Sequence, residues 1–187
     1  PEGYDQLRTM NSIYNYPYYP QHMVQHGYAK EVGWVERKVF VPQPGHEAHK
    51  DKYFRIAEMV KKRYGFRIHK FKNKREIREG GYIPKVLGVV NRSCANLCGY
   101  SQMDEEQMNA YANLYLQYLD KRYLSVVETA EGEVIGMGIC ITSLSRAIQK
   151  AKAKLWPFGW YHLAKALWFD KHPQILDMLL VGVLPEY

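Results

Sequence analysis

At 187 residues, 47% of them apolar and 14% aromatic, the chain is long enough for one domain with a sizeable core and too apolar to be disordered. No window approaches about eighteen uncharged apolar residues, and the first ten residues have neither a basic start nor an apolar core, which argues against a membrane span and a signal peptide. A net charge of +7 favours an anionic partner such as nucleic acid, a membrane surface or a polyphosphate cofactor, and three cysteines, an odd number, argue for a reducing, cytoplasmic setting over a disulfide framework.

In chain order, "NSIYNYPYYP" is a turn-rich entry, and "QHMVQHGY" after it predicts a short helix closed by Gly27. Tyr28 to Val41 predicts a long strand, because Val32, Trp34, Val35, Val39, Phe40 and Val41 are β-formers separated by charges. Residues 42–50 carry two prolines and a glycine and are read as a linker, dividing 1–41 from 51–187. A helix follows over Asp51 to Tyr64, closed by Gly65, and then "FRIHKF" alternates as a strand. From Lys50 to Arg78 there are twelve Lys or Arg against three Asp or Glu, read first as a solvated surface and second as a weak, non-specific nucleic-acid footprint.

Gly80 and Gly81 break the chain before a helix predicted over Ile83 to Cys98. Ser101 and Asp104 are candidate caps for the next helix, whose apolar positions Met108, Tyr111, Ala112, Tyr115, Leu116 and Leu119 keep helical spacing. "YLSVVETA", a turn at Glu131-Gly132, and "EVIGMGICIT" read as a hairpin. Gly136 and Gly138 share one face of its second strand, where a glycine pair is unfavourable unless another group packs closely over it.

Ser143 to Trp168 reads as a helical insertion, two amphipathic helices separated by "WPFG". Its aromatic residues fall at helical spacing and are expected to pack on the sheet, with a substrate lid and a membrane-facing helix as the alternatives. The apolar run Ile175 to Val183 then predicts a strand buried on both faces and central in its sheet, ended by Pro185.

The closing "VGVLPEY" resembles the fourth strand of GNAT-type N-acyltransferases, in which a V-x-P-x-Y segment follows the strand and precedes a Gln/Arg-x-x-Gly-x-Gly/Ala loop. The preceding order of strand, paired helices, strand, strand, insertion and strand is similar to the first half of that fold, so the resemblance covers Asp51 to Tyr187. It implies an α/β architecture, a mixed and mostly antiparallel sheet flanked by helices, with the insertion between the third and fourth strands. It also implies acyl-CoA, acetyl-CoA for example, as co-substrate and a primary amine as acceptor. The family's strand backbone bonds the pantetheine arm, which here implies Val183 and Leu184 as the binding positions.

The family's loop binds the pyrophosphate through its amides and a helix N-terminus, and it is not among these 187 residues. The resemblance therefore implies poor acyl-CoA binding and no turnover by this stretch alone. The segment "YNYPYYPQHMVQHGYAKEVGWVERKVFV" is similar to the last helix and following strand of a preceding GNAT-like domain, as in tandem proteins. Met23 stands there where the pattern often has a tyrosine, so no tyrosine acid carries over.

No motif fixes a catalytic residue. Asp177 and Glu128, carboxylates on strands, are candidate bases. Cys94 and Cys98 fall four apart and are expected as buried, inert thiols on one helix face. No metal site is predicted, and the histidines are read as surface or capping residues. The competing functional classes are a non-catalytic GNAT-like or basic module that binds protein or nucleic acid, and an aminoacyl or peptidoglycan-type transferase. The long apolar strands also predict self-association wherever they are left as open edges.

Overall fold

The structure is a computed structural model that describes residues 5–10, 12, 15–41, 48–116 and 119–187. Helix α1, Tyr18–Gln25, ends as expected at Gly27, which takes a left-handed φ of 83°. The following Tyr28 to Val41, expected as a strand, joins no ladder, and Trp34, Val39 and Phe40 are exposed. Among the described residues no strand pairs with it, and propensity without a partner leaves no sheet. Most of the expected linker, residues 42–47, lies outside the described residues, while 48–50 already belong to helix α2, Ala48–Tyr64. Among α2's described side chains none is buried, so this helix stands off the core.

Four strands form one antiparallel sheet in the order β1-β2-β3-β4, with β1 Arg67–Lys70, β2 Leu124–Glu128, β3 Val134–Thr142 and β4 Leu176–Val183. The hairpin β2–β3 turns at Gly132, whose φ is 87°. Between β1 and β2 run α3 Lys74–Glu79, α4 Tyr82–Ser93 and α5 Glu105–Leu116. Asp104 caps α5 in a reciprocal box: its Oδ1 accepts from Gln107 N at 2.8 Å, and Gln107 Oε1 accepts from Asp104 N at 3.2 Å. Ser101 remains in the preceding loop.

Helix α4 stops at Ser93, five residues before the expected end. Asn91 explains the stop by turning to the next segment, its Nδ2 donating to the Met103 carbonyl and its Oδ1 accepting from Tyr100 and from Met103 N. Cys94 and Cys98 therefore sit past the helix and not on one of its faces. Cys94 and Cys140 are half-buried and Cys98 is exposed, which corrects the expectation of buried thiols.

The core lies between the sheet and α4. Val126 is fully buried, and Val86, Val89 and Val90 of α4 meet Met137, Ile135 and Leu184. Register places His69, Val126, Met137 and Gly182 in one row under α4, where a Cβ on Gly182 would come within 2.6 Å of Ser93 Oγ. The next row, Ile68, Val127, Gly136 and Val183, points to the other face, where Ile68 and Val183 are exposed.

Strand β4 is not central. It is an edge strand, and Met178, Val181 and Val183 lie open at 68%, 56% and 51% exposure. An unbroken apolar run fits a strand buried on both faces or one lying on the rim, and only the pairing distinguishes them. A bulge at Leu179, where the register steps from Ile139↔Leu180 to Cys140↔Met178, interrupts β4.

The segment between β3 and β4 holds α6 Ser145–Lys150 and α7 Gly159–Ala164, the latter continued by a π-helical turn, Lys165–Phe169. Gly159 lets the two come together: a Cβ there would lie 1.6 Å from the Lys154 carbonyl oxygen. The aromatic residues of this segment do not pack on the sheet as expected, since Trp156, Phe158, Trp168 and Phe169 are all exposed. Leu163 and Leu167, on the opposite stripe, are half-buried instead.

Candidate functional site

The end of β4 carries both positions expected to hold a cofactor, and the sheet separates them. Leu184 N donates to the Ile135 carbonyl at 2.8 Å and the residue is buried, so its amide is spent on β3. In an antiparallel ladder successive residues turn their backbone groups to opposite sides, which aims the N–H and carbonyl of Val183 at the open edge. Val183 also packs over Gly136, its Cγ2 lying 3.4 Å from where a Cβ would stand, in ordinary contact, whereas a Cβ on Gly138 would meet only Ser125 Oγ at 3.8 Å.

Beside Leu184, a shallow cleft of about 240 Å³ opens between α4 and the ends of β3 and β4, bounded by Lys85, Gly88, Arg92, Glu133 and Val134. Arg92 is ion-paired to Glu186 at its rim, and Lys85 lies over the Tyr82 ring. With Glu133 in the lining and Glu186 paired to Arg92, the cleft carries both signs of charge.

A second constellation lies across β1, β2, α3 and α4. Glu76 performs two tasks: with Asn73, whose Oδ1 accepts from Glu76 N at 2.9 Å, it closes the first turn of α3 by accepting from Lys72 N at 2.7 Å, and it bonds His69 Nε2 at 2.9 Å. The Lys72 amide first, and the His69 bond after it, hold the Glu76 carboxyl below the usual carboxylate range. On the other side of the imidazole, Nδ1 lies 3.8 Å from Glu128 Oε2 and 3.5 Å from the Tyr82 hydroxyl.

That hydroxyl donates to Glu128 Oε1 at 2.8 Å. Burial, and then the bond to Glu128, push the Tyr82 phenol up to about 12, so it stays protonated and donating at neutral pH. The imidazole ring is packed against Phe71 and Tyr82, with centroids at 4.9 and 5.0 Å. His69 is therefore half-buried between two carboxylates, which corrects its reading as a surface or capping residue. His69–Glu76 and Tyr82–Glu128 are hydrogen-bonded pairs, while His69 and Glu128 face each other at 3.8 Å, beyond hydrogen-bond reach.

The two candidate bases stand differently toward Val183. Asp177 lies six residues back along β4, roughly 20 Å away at the rise of a strand. Glu128 is two strands away, roughly 10 Å across the sheet, with its side chain under the α4 end that also borders the cleft. Asp177 is buried at 5% exposure, with Oδ2 unpartnered and Ser143 bonded to the carboxyl; burial raises its pKa. Of the two, only Glu128 shares the Val183 end of the sheet.

His69, Glu76 and Tyr82 escape a motif search because they come from three elements and meet only in the fold. One local signal exists: Asn73-x-x-Glu76 is a capping-box pattern that marks α3 and turns the Glu76 carboxylate back toward β1. Among the described residues no three His, Cys, Asp or Glu side chains converge on a metal position. Comparison with family models, with curated proteins and with solved structures finds no match to this chain.

Proposed function

We propose that the protein transfers an acyl group from an acyl-CoA to a primary amine by direct attack, in the manner of the GNAT-type enzymes whose strand ending it resembles. The observation that carries this reading is the amide of Val183, which no strand among the described residues pairs, at the edge of β4 beside a cleft whose wall includes Lys85 and Arg92. An acyl carbonyl accepting from that N–H is polarised toward attack. The amine nitrogen adds to the carbonyl carbon, the C–S bond breaks, and the CoA thiolate leaves and takes up a proton. The proton lost by the attacking nitrogen passes through water to Glu128, the base on this reading, and the departing thiolate takes its proton from solvent. On this reading residues 1–41 belong to a preceding unit and 51–187 to the transferase domain, and the free thiols Cys94, Cys98 and Cys140 support a cytoplasmic setting.

Val183→Pro provides the test, because it deletes an amide that no ladder partner uses and prolines are tolerated on edge strands. Calorimetry with acetyl-CoA on the protein should give binding that weakens about tenfold in the variant, the worth of one hydrogen bond of about 1.4 kcal/mol. Residues 1–187 alone should bind poorly and release no thiol, so the comparison is made in a protein that carries the pyrophosphate-binding loop as well, where thiol release with mixed amines should fall with binding. Unchanged binding and thiol release in Val183→Pro there rule the reading out.

A second reading, a non-catalytic basic module, is favoured by α2. None of its described side chains is buried, and it carries Lys61, Lys62 and Arg63 in its last turn. Tight, sequence-selective nucleic-acid binding at physiological salt would place this reading first; weak binding that falls steeply with salt would not.

A further inference from the structure

We propose that the helical segment between β3 and β4 is a membrane-interface device that docks this protein on an anionic bilayer surface. This is independent of the acyl-transfer reading. A surface helix ordinarily turns its polar side to water and its apolar side to the core. The helix from Gly159 to Phe169 turns Leu163 and Leu167 inward but is aromatic on the water side as well: Trp160, Tyr161, Trp168 and Phe169 are exposed, and so is Lys165. The preceding turn adds Trp156 and Phe158, at 80% and 73% exposure.

Three of the chain's four tryptophans fall in these few residues. An exposed aromatic patch of this size marks an interaction surface. Its composition selects the partner: Trp and Tyr are the residues that settle at the headgroup level, apolar ring inward and polar atom outward. The charge is complementary to an acidic leaflet. From Arg146 to Lys171 there are six Lys or Arg against one acidic residue, Asp170, and Arg146, Lys150, Lys152, Lys154, Lys165 and Lys171 are all exposed. No helix of the described residues is long and apolar enough to cross a membrane, and the proposed docking is that of a segment lying in the interface.

The test is flotation of the protein with phosphatidylcholine vesicles, with and without about a third phosphatidylglycerol. Trp34→Phe serves as background, so that tryptophan fluorescence reports the segment alone. The protein should float with the anionic vesicles, with a blue-shifted emission quenched by shallowly brominated lipid. The charge variant Lys150→Gln/Lys152→Gln/Lys154→Gln/Lys165→Gln changes exposed side chains only and should lose two to three orders of magnitude in partitioning, on the order of fivefold per lysine. Trp156→Ser/Phe158→Ser/Trp168→Ser should abolish the blue shift.

Absence of flotation with anionic vesicles overturns the proposal. So does equal binding to neutral vesicles that ignores the charge variant. A serine variant that leaves flotation unchanged while turning an oligomer into a monomer would assign the face to a second copy of the chain. RNA binding lost in the charge variant without any vesicle binding would assign it to nucleic acid.

Discussion

Replacing Tyr82 by Phe removes one hydroxyl from the His69 constellation and little else, because the ring remains packed against Phe71 and His69. Two effects set the magnitude. The O–H to Glu128 bond is charge-assisted, worth about 1.5–3 kcal/mol where water is excluded. The rise of the phenol pKa from 10 to about 12 corresponds to roughly 2.7 kcal/mol of preference for the neutral, donating form. These two figures describe overlapping physics, and Tyr82 is partly exposed, so screening brings the expected loss to about 1–2 kcal/mol. The sign with pH follows from a folded-state value above the unfolded one: the stabilisation is complete below about pH 10 and is lost as the pH rises toward 12. Urea unfolding of the parent, Tyr82→Phe, Glu128→Gln and the double variant should give a coupling energy of about 1 kcal/mol. The difference in phenolate absorbance between parent and Tyr82→Phe should report a single group titrating near 12. A coupling energy below about 0.3 kcal/mol, or a difference titration centred near 10, would refute the reasoning.

Asp177 offers the opposite sign. Burial raises its folded-state pKa, so its ionisation weakens the fold as the pH rises above the ordinary carboxylate range. Asp177→Asn should therefore be more stable than the parent at pH 7, with the difference shrinking as the pH falls toward about 4 and levelling off below it, as read by thermal unfolding at a series of pH values. The exposed Trp34 to Val41 stretch should drive concentration-dependent association measurable by light scattering, and Val39→Lys/Phe40→Lys should leave a monomer. A monomeric parent at high concentration would count against an interface there.

The elements with a strong local signature were legible before any coordinates. The β2–β3 hairpin needed only its alternation and Gly132, and α5 only its Asp104 cap and repeating apolar positions. Helix α3 went unread because it is short and charged, although Asn73 and Glu76 carry its capping pattern. What failed depended on partners. Whether Tyr28 to Val41 becomes a strand, whether β4 lies inside or on the rim, and whether Trp160 or Leu163 turns inward are decided by neighbours distant in sequence. The same holds for the site. Glu128 was visible as a carboxylate on a strand, whereas His69 acquires its role only when β1 brings it beside β2, a contact across more than fifty residues.

The bulge at Leu179 has a consequence for heredity as much as for shape. Beyond it, toward the C-terminus, odd-numbered residues Val181 and Val183 look outward; before it, the outward positions are the even-numbered Leu176 and Met178, and Asp177 looks in. One supernumerary residue thus inverts the phase of the strand. Deleting a single codon here would straighten β4, and either Asp177 would be delivered to water or Val183 would be turned into the core. A point substitution edits one side chain, but a frame-preserving deletion at this spot would exchange the two faces of half a strand at once, so length at Leu179 should be more tightly constrained than identity.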